Sequence, residues 1–506
     1  MRFQRSSGIL LHPTSLPGRY GSGDLGVEAF AFIDFLAEAG QKIWQVLPLN
    51  PTGYADSPYQ CFSAFAGNPL LISLDRLEER GLLHRGELDQ VPEFSPRSIN
   101  YGAVISYRFS KLRLASERFF AALDGERKAE FESFCEEQSA WLQDYALFMA
   151  CKDAHGGVAW TRWEPQLAAR DPKALACWSE KLAPAIAAYK FWQFEFFRQW
   201  GALRKACNRS GIRIMGDVPM YVAHDSVDVW TAPHLFWLDE RGNPLKVAGV
   251  PPDYFSATGQ LWGNPIYRWD LMREDGYRWW IARLHGVLHM FDMVRIDHFR
   301  GFEAYFEIPA EETTAVNGEW VKGPGVELFE TLEREFGELP IVAENLGNIT
   351  PEVEAIRRRF DFPGMAILQF AFGTDPQGPS FRPHNYERNL CAYTGGHDND
   401  TTVGWWTSGV GDSTRTEQEL REEFDFAAAY LNLHGEAIQW AMIRALMASV
   451  ADTVLIPMQD VLGLGGEARM NLPGRMENNW RWRYEASQLR PEMTHKLRTL
   501  AKLYDR

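Results

Sequence analysis

The chain is expected to fold as an α/β protein, a (β/α)8 TIM barrel with helical and loop insertions at the C-terminal face of the barrel. Three observations predict this. Eight short apolar or β-branched runs end in polar, Gly or Pro residues. Helical patterns lie between most of them, and two intervals are too long to be ordinary crossovers.

The runs fall at residues 8–11, 42–47, 212–218, 291–296, 339–343, 365–372, 390–393 and 453–456. Helical patterns cover 27–39, 276–290, 325–336 and 427–450. Strands alternating with helices imply a parallel sheet, and eight of them suggest closure, which puts catalytic groups at the strand C-termini. The whole of 1–506 reads as a single catalytic barrel. Residues 50–210 read as a largely helical insertion between strands 2 and 3, with 121–153 and 184–208 helical by composition. Residues 219–290, rich in aromatics, Gly and Pro, read as a second insertion forming a substrate wall. Tyr189, Trp192, Phe196 and Trp200 recur at helical spacing and predict a core-facing stripe.

Composition narrows the function. A hydrophobic share of 45% suits a large core, and a formal charge of -15 argues against nucleic acid, which needs a basic face. The cysteines are Cys61, Cys135, Cys151, Cys177, Cys207 and Cys391; with no C-x-x-C pair they read as reduced and mostly buried. The apolar stretch after the N-terminus is too short for a signal segment, and no later stretch is long enough to span a membrane, so a cytoplasmic enzyme is expected.

Three strand ends carry carboxylates. In the segment Asp292 to Gly301, Arg295 and Asp297 point to one side of a strand, so the cation keeps the carboxylate ionised, as a nucleophile requires. The same spacing also suits a plain strand-end ion pair. In Pro340 to Gly347 an apolar run closes on Glu344, whose reach and partial burial suit a general acid, although a solvated Glu before a turn fits as well. Tyr393 to Asp400 delivers His397, Asp398 and Asn399, or forms an Asx-rich turn. The coincidence of all three favours chemistry: carboxylates flanking a scissile bond make a glycosidase, and about 5 Å apart a retaining one.

These segments resemble the signature regions of the α-amylase clan, and more narrowly the 4-α-glucanotransferases of the amylomaltase, or disproportionating, type in glycoside hydrolase family 77. The resemblance extends over His12 to Leu16, Asp56 to Tyr59, Gly216 to Pro219, Gly249 to Ser256, Gly259 to Pro265 and Asn471 to Gly474. It implies that Asp297 is the nucleophile, Glu344 the acid/base, and Asp398 a holder of sugar hydroxyls that helps distort the ring. Arg295 and His397 would line the glycosyl subsite, Tyr59 would stack under the sugar, and Asp217 would be the strand-three Asp, usually a structural residue. The substrate-binding set read from these motifs is Tyr59, Asp217, Gln260, Trp262, Arg295, His298, Asn345, His397, Asn399 and Asn471. One departure is Gly396, where the family pattern has Thr or Ser before the His.

The implied activity is retaining transfer of α-1,4-glucan segments from a donor maltooligosaccharide to the 4-hydroxyl of an acceptor glucan or glucose. Its partners would be maltooligosaccharides, amylose or glycogen-derived glucans. Tyr254, Phe255, Trp262 and Tyr267 offer aromatic faces for glucose rings, with Gln260 and Asn264 as hydrogen-bonding groups. Rival readings are an amylase-like hydrolase and a non-catalytic glucan-binding protein. The short helical stretch after Asn471 leaves no room for an amylase C-terminal β-domain, and the complete carboxylate trio argues against a mere binder. Gly21 to Gly26 fits G-x-G-x-x-G, but prolines separate it from its strand and no ribose-binding acid follows. No metal spacing occurs, so His298 and His397 read as sugar-binding donors, and no cofactor is expected. Tyr54 and Tyr101 are candidates for a second, surface glucan site.

Overall fold

The computed structural model describes residues 3–122, 124–252, 258–409 and 416–506. Its central sheet has eight parallel strands: Ser6–Leu10, Ile43–Gln45, Arg213–Val218, Met293–Ile296, Ile341–Ala343, Gly364–Ile367, Leu390–Tyr393 and Thr453–Pro457. Every expected run supplies one. Numbered along the chain, the first strand pairs with the second and the eighth, and neighbours then follow in order to the fifth and sixth. Those last two close the ring through the Ala343 N–H donating to the Pro363 carbonyl at 2.9 Å.

The strands are apolar on both faces because both are covered, as parallel sheets require. Inward-facing Ile43, Met215, Met293, Val342, Met365, Cys391, Tyr393 and Leu455 fill the barrel with Phe3. Outward-facing Ile9, Val294, Ile341, Ala392 and Val454 pack on the surrounding helices. The crowding leaves no room for a side chain at Gly8, where a Cβ would lie 2.2 Å from the Ile43 carbonyl oxygen. Strand alternation decides what stands at the barrel mouth: going up, Met215 is followed inward by Asp217, and Met293 by Arg295 and then Asp297.

Long helices follow the second strand, including Tyr101–Ala121, Leu142–Ala154 and Ala183–Arg209. On the last of these, Tyr189, Trp192, Phe196 and Trp200 are all buried, as the spacing predicts. Their polar atoms are used: the Trp192 and Trp200 indole N–H groups donate to the carbonyls of Leu112 at 3.0 Å and Met290 at 3.1 Å.

Two expectations need correction, and one inserted stretch gains detail. The pattern at 427–450 is two helices, Glu417–Leu431 and Ile438–Ala448, because Asn432 takes a left-handed conformation (φ 54°) that ends the first. The stretch 219–290 contains strands Lys246–Val250 and Gln260–Pro265, which join Ala304–Pro309 and Glu319–Lys322 in a separate antiparallel sheet. Tyr101 is buried, its hydroxyl donating to the Trp480 carbonyl at 2.8 Å, so it forms no surface site with the exposed Tyr54. Among the described residues, no helix is long and apolar enough to cross a membrane.

Removing the largest side chain of the helical stripe tests its core assignment. Trp192→Ala should lower unfolding stability by about 3–5 kcal/mol in urea titration.

Candidate active site

The site is built on a cross-strand pair. Asp217 and Arg295 stand opposite one another on the third and fourth strands. The Arg295 Nη1 donates to both Asp217 oxygens, at 2.9 and 2.8 Å, and its Nη2 donates to Asp297 Oδ1 at 2.9 Å. Asp217 is fully enclosed and Arg295 nearly so, whereas the Asp297 side chain keeps 30% of its exposure. Burial works against the charge on both members of the pair. Asp217 and Asp297 overcome it for Arg295, whose affinity for its proton is raised. Asp217 itself is pushed up by burial against the pull of Arg295.

Glu344 follows the fifth strand, beside the fourth. Ile296 pairs with Ala343, so Asp297 and Glu344 leave adjacent strands at the same level. Neighbouring strands lie about 4.8 Å apart, which sets the spacing of these two backbones. Both Glu344 oxygens are held by backbone: Oε2 accepts from the His298 N–H and Oε1 from the Leu346 N–H, each at 2.8 Å. His298 reaches that geometry with φ at 53°, an uncommon conformation for a residue with a Cβ. Burial pushes the Glu344 carboxyl up to about 7; Arg295 opposes this and Asp297 adds to it. The half-buried His298 ring is held down to about 4, again by desolvation, so it is neutral near pH 7. Its Nε2 is buried with no hydrogen-bond partner among the described residues, and the Trp262 ring meets the imidazole edge-on with centroids 4.8 Å apart.

A second chain of hydrogen bonds leads to Asp398. The Tyr59 hydroxyl donates to Asp217 Oδ2 at 2.8 Å and lies 3.2 Å from His397 Nδ1, while its ring stacks on the imidazole with centroids 4.9 Å apart. His397 Nε2 lies 3.3 Å from Asp398 Oδ1, to which the Asn471 amide donates at 2.6 Å. Burial disfavours charge on His397, but Asp398 outweighs it and raises the imidazole above its ordinary value. For Asp398, burial is outweighed by His397 and Asn471, which hold the carboxyl down at about 2. Burial thus raises one carboxyl of the site to about 7, while an imidazole and an amide hold the other at about 2.

Most of the expected residues converge here, but four take other places. Asp217 lies under the site with no exposed side-chain surface, supporting Arg295 and Tyr59. Asn345 faces away: its Oδ1 accepts from the Met365 N–H at 2.7 Å and its Nδ2 donates to Glu354, which fastens the closing seam of the barrel. Asn399 Oδ1 accepts from the Gly396 N–H at 2.8 Å, so it shapes its own loop. A Cβ at Gly396 would lie 3.3 Å from that oxygen, the tight spot left open by the departure from Thr or Ser. Gln260 Oε1 is engaged by the Trp262 indole at 3.1 Å. Tyr267 is wholly buried, and Tyr254 and Phe255 lie outside the described residues. Arg469 was not foreseen; its Nη2 donates to the Asp398 carbonyl at 2.6 Å, a role that no local motif announces. Among the described residues, no group of His, Cys, Asp and Glu is placed to hold a metal.

Comparison with known proteins gives a consistent picture. Residues 11–489 match the family model described as 4-alpha-glucanotransferase. The 4-alpha-glucanotransferase of Synechocystis sp. is 50% identical over 99% of this chain and 98% of its own length. That of Thermus thermophilus is 51% identical, with full coverage of both chains. Among solved structures, the amylomaltase from Streptococcus agalactiae in complex with acarbose superposes with a TM-score of 0.94 at 40% identity, covering 99% of this chain and 100% of that one. The amylomaltase from Corynebacterium glutamicum, 20% identical with a TM-score of 0.80, shares the fold; it matches 98% of this chain and 75% of its own.

The ion triad predicts an asymmetry that unfolding experiments will detect. Arg295→Met strands the enclosed Asp217 charge and should cost about 3–5 kcal/mol in urea unfolding. Asp297→Asn removes only the partly exposed arm and should cost about 1 kcal/mol or less.

Proposed function

Because the chain belongs to the 4-alpha-glucanotransferase family, we propose that its transfer reaction runs by retaining double displacement on Asp297, Glu344 and Asp398. The activity itself, 4-alpha-glucanotransferase, is the one its family and close relatives carry. The observation that carries the mechanism is the placement of Glu344, half-buried and raised to about 7, beside Asp297, which Arg295 holds at the adjacent strand end. Backbones about 4.8 Å apart suit the short carboxylate spacing of retaining enzymes, about 5–5.5 Å.

In the first half, Glu344 gives its proton to the glycosidic oxygen as the C1–O bond breaks, and Asp297 attacks C1. Arg295 holds Oδ1, so Oδ2 is the attacking oxygen. The leaving chain departs with a free 4-hydroxyl. In the second half, Glu344 takes the proton of an incoming 4-hydroxyl, that oxygen bonds to C1, and Asp297 leaves. Asp398, ionised throughout the working range, binds sugar hydroxyls at the reacting ring. The His298 Nε2, without a hydrogen-bond partner among the described residues, and the His397 ring supply further polar contacts, and the Tyr59 ring lines the same subsite. Transfer rather than hydrolysis requires an acceptor site that keeps water out, and Trp262 beside His298 provides an apolar wall for it.

Maltooligosaccharides, amylose and glycogen-derived α-1,4-glucans are the substrates that fit this reading. The chain would act as one catalytic barrel (1–506), with residues 50–210 and 219–290 as the inserted walls of its mouth. Six free thiols suit a reducing, cytoplasmic setting.

Maltotriose separates transfer from hydrolysis: the purified protein should yield glucose and a ladder of longer chains, and glucose with maltose alone would sink the transferase mechanism. Glu344→Gln should lower kcat by about 10²–10⁴-fold while maltooligosaccharide binding persists by calorimetry. The first step needs Glu344 protonated, so kcat/KM should fall as pH rises through about 7. In the Gln variant that limb should vanish from the pH profile.

A further inference from the structure

His397 and Asp398 sit on a loop, residues 395–401, between the end of the seventh strand and the helix Thr402–Thr407. A loop that must present a carboxylate to a sugar ring needs fixed ends. Both ends here are threonines that are completely buried, Thr394 and Thr402. They meet one carboxylate: Asp460 Oδ2 accepts from the Thr394 hydroxyl at 2.5 Å and the Thr402 hydroxyl at 2.8 Å, and its Oδ1 accepts from the Thr402 N–H at 2.7 Å. Asp460 is 1% exposed and belongs to the short helix Met458–Leu462 that follows the eighth strand. The seventh and eighth strands pair directly, Tyr393 opposite Leu455, so Asp460 bridges two neighbouring strand ends.

A buried carboxylate without a cation is costly unless its oxygens are satisfied, and these three bonds to Asp460 all come from neutral donors at the two ends of this loop. Around it, the loop is closed from within by Asn399 and braced by the Gln369 amide, which donates to the Asp400 carbonyl at 2.8 Å. Arg469 and the Asn471 N–H hold its outer edge at the carbonyls of Asp398 and His397. Asp460 grips both ends at once.

We propose that Asp460 is a positioning residue for the transfer reaction, clamping both ends of the loop that presents His397 and Asp398 to the sugar. The proposal rests on the role given to Asp398 above. It touches no substrate itself, and it acts by fixing where the loop's carboxylate stands. A displacement of about 1 Å at a reacting centre costs up to about 10²-fold in rate, so a loosened clamp should be read in kcat.

The test uses the full chain carrying Asp460→Asn, Thr394→Val or Thr394→Ser, assayed with maltotriose and with α-maltotriosyl fluoride. The fluoride leaves without needing a proton, so it separates loop placement from acid catalysis. Asp460→Asn and Thr394→Val should lower kcat by about 10–100-fold with either donor, with KM within about threefold, at a temperature where circular dichroism shows a folded protein. Thr394→Ser, which keeps the hydroxyl, should return kcat to within about threefold of the parent. Glu344→Gln should instead regain at least about tenfold in the first-turnover release of fluoride, the half of the reaction that needs no acid. Folded Asp460→Asn and Thr394→Val proteins that keep parental kcat, losing only melting temperature, would overturn the clamp. Should Asp460→Asn fail to fold, the isosteric Thr394→Val decides. Absence of that first-turnover rescue in Glu344→Gln would instead overturn the acid/base assignment, independently of the loop variants.

Discussion

The guanidinium of Arg295, shared between Asp217 beneath it and Asp297 above it, is the interaction on which the rest of the site depends. Burying ions inside a barrel costs several kcal/mol each before their attraction is counted, so such a triad is a poor device for stability alone. What it supplies is placement. Asp217 is locked by strand register, Arg295 is locked by Asp217, and Asp297 is aimed by what remains of the fork. The hydrogen-bond chain through Tyr59 and His397 to Asp398 starts from that same Asp217.

Around this frame the fold separates the properties of chemically similar groups. Glu344 and Asp398 are both carboxylic acids at strand ends, yet one is carried toward neutrality by burial and the other held far below it by an imidazole and an amide. That divergence is the physical basis for assigning proton transfer to one and fixed charge to the other. The left-handed backbone at His298 serves the same separation, since it turns an N–H onto Glu344 without adding a formal charge.

Much of the barrel was legible in the sequence, because a short continuous apolar run stopped by a polar residue, Gly or Pro is the pattern of a strand buried on both faces. The places of Asp297 and Glu344 were legible for the same reason, since each directly follows such a run, whereas Asp398 stands on a loop five residues past its strand. What escaped was whatever depends on partners distant in the chain. Asn345 looks like a ligand-facing amide beside Glu344, and only the closing of the ring reveals that it pins Met365. The antiparallel sheet was hidden because its strand Gln260–Pro265 carries Gly263 and Pro265, residues that normally signal a loop. The break at Asn432 was missed because apolar periodicity continues on both sides of a single left-handed residue. Asp460 gave no local signal at all, as its partners lie on a neighbouring strand and helix.

The pairing of the first strand with the eighth has a consequence for how the molecule comes into being. Ser6 lies opposite Thr453, so the first barrel strand to leave a ribosome waits for the eighth before its edge is covered. Contacts of such wide separation make folding slow and leave strand edges open to wrong partners meanwhile. Asn471, which holds Asp398, is made later still. The loop that Asn471 holds is therefore complete only after the ring has closed.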